Sequence, residues 1–188
     1  MTPDARTVLL GGIRAPLASL LETALAEAGL QPVTLRADPG NVAGITDELA
    51  GLDTAPHAFI NHAALLLELP GRGYAAYPPL ACHRAVIDHL APGSSLVHLF
   101  GDMTPAPDPR ALTLPLVRRL MADLDEPAGN RGLRMNAVSL RHVPGVDDAE
   151  RMRILQARIR TIVWLAGQAD DRPDRQVLRG YASDERPA

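Results

Sequence analysis

The stretch Thr7 to Leu30, TVLLGGIRAPLASLLETALAEAGL, decides the fold. Val8, Leu9 and Leu10 form a short apolar run closed by Gly11 and Gly12. From Leu17, apolar residues recur at helical spacing through Leu20, Leu21, Ala24, Leu25 and Ala28 to a stop at Gly29. This is a buried strand, a tight turn and an amphipathic helix. Doubly wound nucleotide-binding domains open in this order, because the turn and the helix N-terminus gather backbone N–H groups at an anion site. The turn itself departs from the pattern. Counting back from Gly29, its special positions fall near Gly12, Arg14, Pro16 and Ala18, and only Gly12 is a glycine. An arginine side chain and a proline ring stand where a pyrophosphate needs bare backbone.

Outward from that opening, strands and helices alternate. Gln31 to Arg36, QPVTLR, reads as a strand, and Asp38-Pro39-Gly40-Asn41 as a turn able to cap a helix from about Val42 to Leu52. Ala58, Phe59 and Ile60 make a short buried strand ending at Asn61-His62-Ala63, and Pro70, Gly71 and Gly73 mark a loop from Leu65 to Ala76. A helix from Tyr77 to Leu90 stops at Pro92-Gly93; Ser94 to Asp102, SSLVHLFGD, is a strand followed by the loop MTPAPDP. Leu112, Leu116, Val117, Leu120 and Leu124 define a further helix that ends before Pro127. Leu133 to Leu140 is a strand, Asp148 to Ala166 a helix, and Arg175 to Arg179 a closing strand. This rhythm predicts one α/β domain over residues 1–181, a doubly wound, Rossmann-like and mainly parallel sheet of about six strands, with 182–188 as a polar tail.

Composition narrows the function classes. The chain has 188 residues, a net charge of −3 and a single cysteine, Cys82. That length suits one domain. The charge gives no footprint for nucleic acid, and no arginine stripe interleaves with aromatics. No apolar run approaches the roughly 20 residues of a membrane span, and no leader pattern opens the chain, so the expectation is a soluble, cytoplasmic protein. A lone Cys82 has no disulfide partner, and the histidines have no C-x-x-C pair to build a zinc site; Cys82 reads as a small buried apolar residue. Every Lys/Arg position is arginine, and there is no lysine. This bias, with the many Ala, Gly and Pro, points to a GC-rich bacterial genome.

Three places carry a resemblance to the short-chain dehydrogenase/reductase family. LAEAGLQPVTLRAD resembles its first helix and second strand, and FINHAA its Asn-Asn-Ala-Gly strand end. The run from Leu112 through RGLRMNAV to about Gly145 resembles the stretch after its Tyr-x-x-x-Lys pair. The resemblance spans Arg6 to Tyr181 and implies the family's fold with one βα unit deleted between Arg36 and Phe59. In the family a Tyr hydroxyl exchanges the substrate proton, a Lys lowers that pKa and holds the nicotinamide ribose, and a Ser orients the carbonyl. Here the Tyr position falls near Ala106, the Lys near Arg110 and the Ser near Gly101, while a helix Asn falls near Ala75. With no lysine anywhere, no local realignment restores Tyr-x-x-x-Lys. Arg110 keeps a positive charge, but its guanidinium is a planar fork with no phenol to tune.

The resemblance also names weak cofactor candidates: Gly12 in the turn, Arg36 where an NADP 2′-phosphate is read, and Asn61 beside the adenosine half. Each has a plainer reading, and for Arg36 the preferred one is a solvated surface residue. His62, His83, His89 and His98 lie on separate elements and read as core or surface fillers; no metal site is expected. Tyr74 and Tyr77 read as packing over the shortened loop. Arg151, Arg153, Arg158 and Arg160 read as a solvated helix face offset by Asp147, Asp148 and Glu150. The expectation is therefore a chain with no catalytic residues and no cofactor. It would serve as an assembly or regulatory subunit, as a homodimer or as a hetero-oligomer with an active dehydrogenase. Leu116 and Leu120, on a helix the family uses for dimers, are placed at the centre of that contact. The alternatives are an NAD(P)-dependent oxidoreductase using Tyr77, Asp102 or Arg110, with NADP as the alternative cofactor, and a small-molecule binding module.

Overall fold

The computed structural model describes residues 6–13, 15–37, 41–62, 77–101, 114–167 and 174–178, with the side chains of 77–81 and 116 left aside. The elements run β1 (Arg6–Gly11), α1 (Leu17–Glu27), β2 (Leu30–Thr34), α2 (Val42–Ala50), β3 (Ala58–His62), α3 (Tyr77–His89), β4 (Ser95–Phe100), α4 (Leu114–Gly129), β5 (Arg134–Ser139), α5 (Asp148–Ala166) and β6 (Val177–Leu178). The strands form one sheet in the order β2-β1-β3-β4-β5-β6, and every pair is parallel. The expected six strands are present, and α2 is the single element between β2 and β3 among the described residues. β2 is consequently the sheet edge.

Alternation along the strands divides the core in two. Leu9, Phe59, Leu96, Phe100, Met135 and Ala137 face one way, under Ile45 and Leu49 of α2, Val86 and Ile87 of α3, and Val117, Leu120 and Leu124 of α4. Val8, Leu10, Ile60, Val97, Leu99 and Val138 face the other way, under Leu17, Leu21 and Leu25 of α1 and Leu155, Ile159 and Ile162 of α5. Strands covered on both faces read as continuous apolar runs rather than alternating ones, which is how Val8–Leu10 and Ala58–Ile60 look in the sequence.

The exposed edge is blunted chemically. Leu35 N–H donates to the Leu10 carbonyl at 2.9 Å, so the odd-numbered backbone groups of β2 turn towards β1 and those of Leu30, Pro32 and Thr34 turn outward. Pro32 has no N–H to offer a new strand, and just beyond the strand the Arg36 N–H is taken by the Glu48 carboxylate at 2.9 Å. Proline and local capping are recognised ways of stopping edge-to-edge pairing.

Several boundaries shift. β2 starts at Leu30 and stops at Thr34, two residues short of the expected Arg36. α4 runs on through Pro127 instead of ending before it. Its last turn is held because Leu124 and Ala128 are fully buried in the core, which offsets the backbone bond that Pro127 cannot make. β6 holds only Val177 and Leu178. Asp174 anchors its approach by accepting the Met135 N–H at 2.9 Å, and Arg175 does so by pairing with Asp125 at 2.5 Å and with Asp174.

Candidate functional site

The order of the sheet reverses between β1 and β3, so the crevice outside their carboxyl ends is where a doubly wound fold binds ligands. Gly11 and Gly12 close β1 there, Gly12 turning with φ +64°. Helix α1 begins five residues on, with Pro16 at its N-cap position and no side chain capping the first N–H groups. Open amides at a helix N-terminus favour an anion. Gly11 is constrained sterically: a Cβ on it would lie 2.6 Å from the Phe59 ring. The bare backbone leaves a small cavity of about 20 Å³, lined by Gly11, Gly12, Leu35, Ala37, Ile45, Phe59, Asn61 and Cys82. That volume holds about one water-sized group.

Register places Gly11, Asn61 and His98 side by side on three neighbouring strands. Asn61 and His98 are both buried, and the Asn61 amide nitrogen lies 3.1 Å from His98 Nδ1, its oxygen 3.4 Å away. The His83 ring packs 5.3 Å from His98 and 5.6 Å from Phe59. Complete burial, reinforced by the neighbouring His83, holds the His98 pKa well below the ordinary imidazole value. The ring is neutral at physiological pH. Cys82 is buried and free, and desolvation pushes its thiol up to about 11. It remains an S–H, and the expectation of a small buried residue holds.

The other half of the crevice lies at the ends of β4 and β5. Gly101, near which the resemblance puts the family's Ser, has φ +81°, and a Cβ there would meet the Arg141 backbone nitrogen at 3.1 Å. A side chain at this position meets both a disfavoured backbone conformation and fixed main-chain atoms. The Gly101 carbonyl instead accepts from His62 Nε2 at 3.1 Å.

No family model matches this chain, and no curated protein matches it. Solved structures do. An oxidoreductase of the short-chain dehydrogenase/reductase family from Brucella ovis, in complex with a partially ordered NAD, superposes with a TM-score of 0.59 at 16% identity, over 94% of this chain and 99% of that one. The NADH-dependent reductase A1-R′ complexed with NAD gives 0.62 at 16% identity, over 93% and 94%. BdcA in complex with NADPH gives 0.55 at 12% identity, over 93% of each chain. The fold is that of the short-chain dehydrogenases/reductases. The same comparison corrects the expectation of no cofactor, because chains of this fold over nearly the whole length hold NAD or NADPH. The inference from Arg14, Pro16 and Ala18 weighed side chains alone. Backbone amides carry much of anion recognition at such a turn, and every residue there except proline, here Pro16, supplies one whatever its side chain.

Of the sequence candidates, Gly12 and Asn61 meet at the cavity, whereas Arg36 is exposed with its N–H on Glu48. Arg14, Tyr74, Ala75, Asp102, Ala106 and Arg110 lie outside the described residues, and so does the side chain of Tyr77. His83 and His98 are core residues, and His89 bonds within its own helix to the Ala85 carbonyl at 2.8 Å. Among the described residues no group of His, Cys, Asp and Glu is placed to hold a metal, and no helix is long and apolar enough to cross a membrane. Two placements are corrected. Leu120 lies in the core, 9% exposed, because α4 turns it onto the sheet, so it is no central contact between subunits. Among the described residues the exposed large apolar side chains are Leu20, Met152 and Trp164, on α1 and α5. Arg158 is not on a solvated face: it is 6% exposed, and desolvation lowers its pKa. Arg151 and Arg153 do lie on that face, paired with Asp148 at 2.7 Å and with Glu150. The His98–Asn61 pair was missed as a pair. Its signal was a polar residue set among apolar neighbours in each of two strands, Asn61 after Phe59-Ile60 and His98 between Val97 and Leu99.

Proposed function

We propose that this chain is a short-chain-dehydrogenase-like subunit that binds an adenine dinucleotide but does not carry out the family's hydride transfer, acting instead as a regulatory or assembly partner of itself or of an active relative. The observation that carries this reading is the contrast at Gly101. The position resembling the family's Ser has a left-handed backbone, and a Cβ on it would lie 3.1 Å from the Arg141 backbone nitrogen, in a chain that contains no lysine. The residues present fit the anionic part of a dinucleotide. The Gly11–Gly12 turn and the uncapped start of α1 would hold the pyrophosphate. Asn61, with Leu35 and Ala37, would meet the base side, where the cavity admits one group and the rest of the base would lie outside it.

A bound nicotinamide dinucleotide supplies or takes up a hydride when a protein group manages the accompanying proton. In this chain the His62 ring is engaged by the Gly101 carbonyl, and Gly101 has no hydroxyl to polarise a substrate. Binding without turnover leaves the ligand to act through shape or assembly, and that supports the subunit reading. The test follows NADH binding by its fluorescence while a panel of ketones and aldehydes is added. The expected result is saturable binding with no oxidation of NADH above the buffer rate. Sustained oxidation proportional to protein would restore the oxidoreductase reading.

A further inference from the structure

Apolar side chains scattered singly over a surface need no explanation, but here they gather. Among the described residues the large ones that stand exposed, Leu20, Met152 and Trp164, all lie on α1 and α5. These two helices cover the same core and pack against each other. Each leaves the carboxyl end of one parallel strand and leads to the start of another, so they run side by side in the same direction. On α5, Met152, Gln156, Arg160 and Trp164 recur every fourth residue and all are exposed, which makes them one ridge. On α1, Leu20 and Glu27 are exposed two turns apart on one stripe. Charge divides between the helices. α1 carries Glu22 and Glu27 and no arginine, whereas α5 carries four arginines against Asp148 and Glu150. Most of these charges are already engaged. Glu22 accepts from the Thr34 hydroxyl at 2.8 Å, Arg151 and Arg153 pair with Asp148 and Glu150 within the helix, and Arg158 is buried. Glu27 and Arg160 are exposed, and neither has an ion pair among the described residues.

We infer that the α1–α5 face docks a second copy of this chain, with a two-fold axis running along the helices and α1 of each copy lying over α5 of the other. A two-fold maps a patch onto itself, so a face that sets an acidic helix beside a basic one is complementary to its own copy. The spacing agrees. Leu20 to Glu27 is two turns, and Met152 to Arg160 is two turns in the same direction. Setting Leu20 against the partner's Met152 therefore brings Glu27 to the partner's Arg160, and symmetry makes each contact twice. Trp164, one turn beyond Arg160, supplies the aromatic kind of anchor in which interface energy concentrates. This face lies across the sheet from α4. The inference rests on the assembly reading above and gives it a surface and a partner.

The experiment is sedimentation of the full chain over a concentration series, with the emission of Trp164, the one tryptophan of the chain, recorded alongside. The expected result is a monomer–dimer equilibrium in which Trp164 emission moves to the blue and acrylamide quenches it less as dimer forms. Glu27→Arg and Arg160→Glu, both at exposed positions, are each expected to weaken the dimer about tenfold by setting like charges against each other, and the two together to restore it. A dimer whose Trp164 emission does not respond, or whose affinity neither reversal changes, overturns this surface and leaves the assembly reading in place. Reversals that weaken the dimer without rescuing each other overturn the placing of α1 over α5. A monomer at every concentration overturns the inference and self-assembly together, leaving an active relative as the partner in the reading above. The emission series needs no variant, so it decides even where a reversal fails to fold.

Discussion

The two halves of the crevice rest on one sheet and one core, yet they have kept different things. At the ends of β1 and β3 lie a glycine turn, an uncapped helix start, and a buried amide beside a buried imidazole. At the ends of β4 and β5 the position that would carry a hydroxyl has φ +81° and abuts the Arg141 backbone. Binding draws on backbone geometry, which tolerates side-chain replacement, whereas proton transfer needs particular side chains at particular atoms.

The largest effect should come from breaking what the halves share. Leu120→Asp puts an unpaired charge into the core cluster that holds Leu9, Phe59, Leu96 and Phe100 together. A loss of about 3–5 kcal/mol in denaturant unfolding is expected, with all probes moving together. A folded protein altered only in its oligomeric state would return Leu120 to a subunit contact. Gly11→Ala acts on the binding half. Its Cβ meets the Phe59 ring at 2.6 Å, so the ring, which lines the cavity, must move; a cost of about 1–3 kcal/mol and clearly weaker NAD binding are expected in chemical denaturation and calorimetry.

Gly101→Ser tests the reactive half. Strain from its left-handed backbone should cost about 1–3 kcal/mol, with NADH oxidation still at the buffer rate. Measurable turnover would show that the hydroxyl alone was missing. A pH series sharpens the contrast more gently. His98 is neutral when folded, with a pKa below its unfolded value, so nothing changes above the unfolded pKa. As pH falls through about 6.5 the unfolded chain gains a proton that the native ring refuses, and stability declines. Melting temperature should therefore drop between about pH 7 and about pH 5, and His98→Asn should flatten that decline. The exposed His57, its pKa lowered by desolvation and by Arg6, acts in the same direction.

The architecture was legible because its signals are local and redundant. Val8–Leu10, Ala58–Ile60 and Leu96–Leu99 each announce a buried strand, and the single helix-sized segment before Phe59 shows the missing unit. The site was less so. The buried Arg158 shares its helix with exposed Arg151 and Arg153, and helical periodicity assigns it to the core face only once the core direction is known. Leu120 was taken for a contact because apolar spacing does not distinguish a face turned to the sheet from one turned to a partner. Reading the turn by its side chains made the departures at Arg14, Pro16 and Ala18 look decisive against a cofactor, although the amides that meet a phosphate are not visible in residue names.

The measurement that bears most directly on retained recognition without retained chemistry is a calorimetric titration of the wild-type chain with NAD. Saturable binding at one site per chain is expected, weakened in Gly11→Ala while Gly101→Ser keeps it. A flat titration of the folded wild type, with no heat beyond dilution, would contradict it.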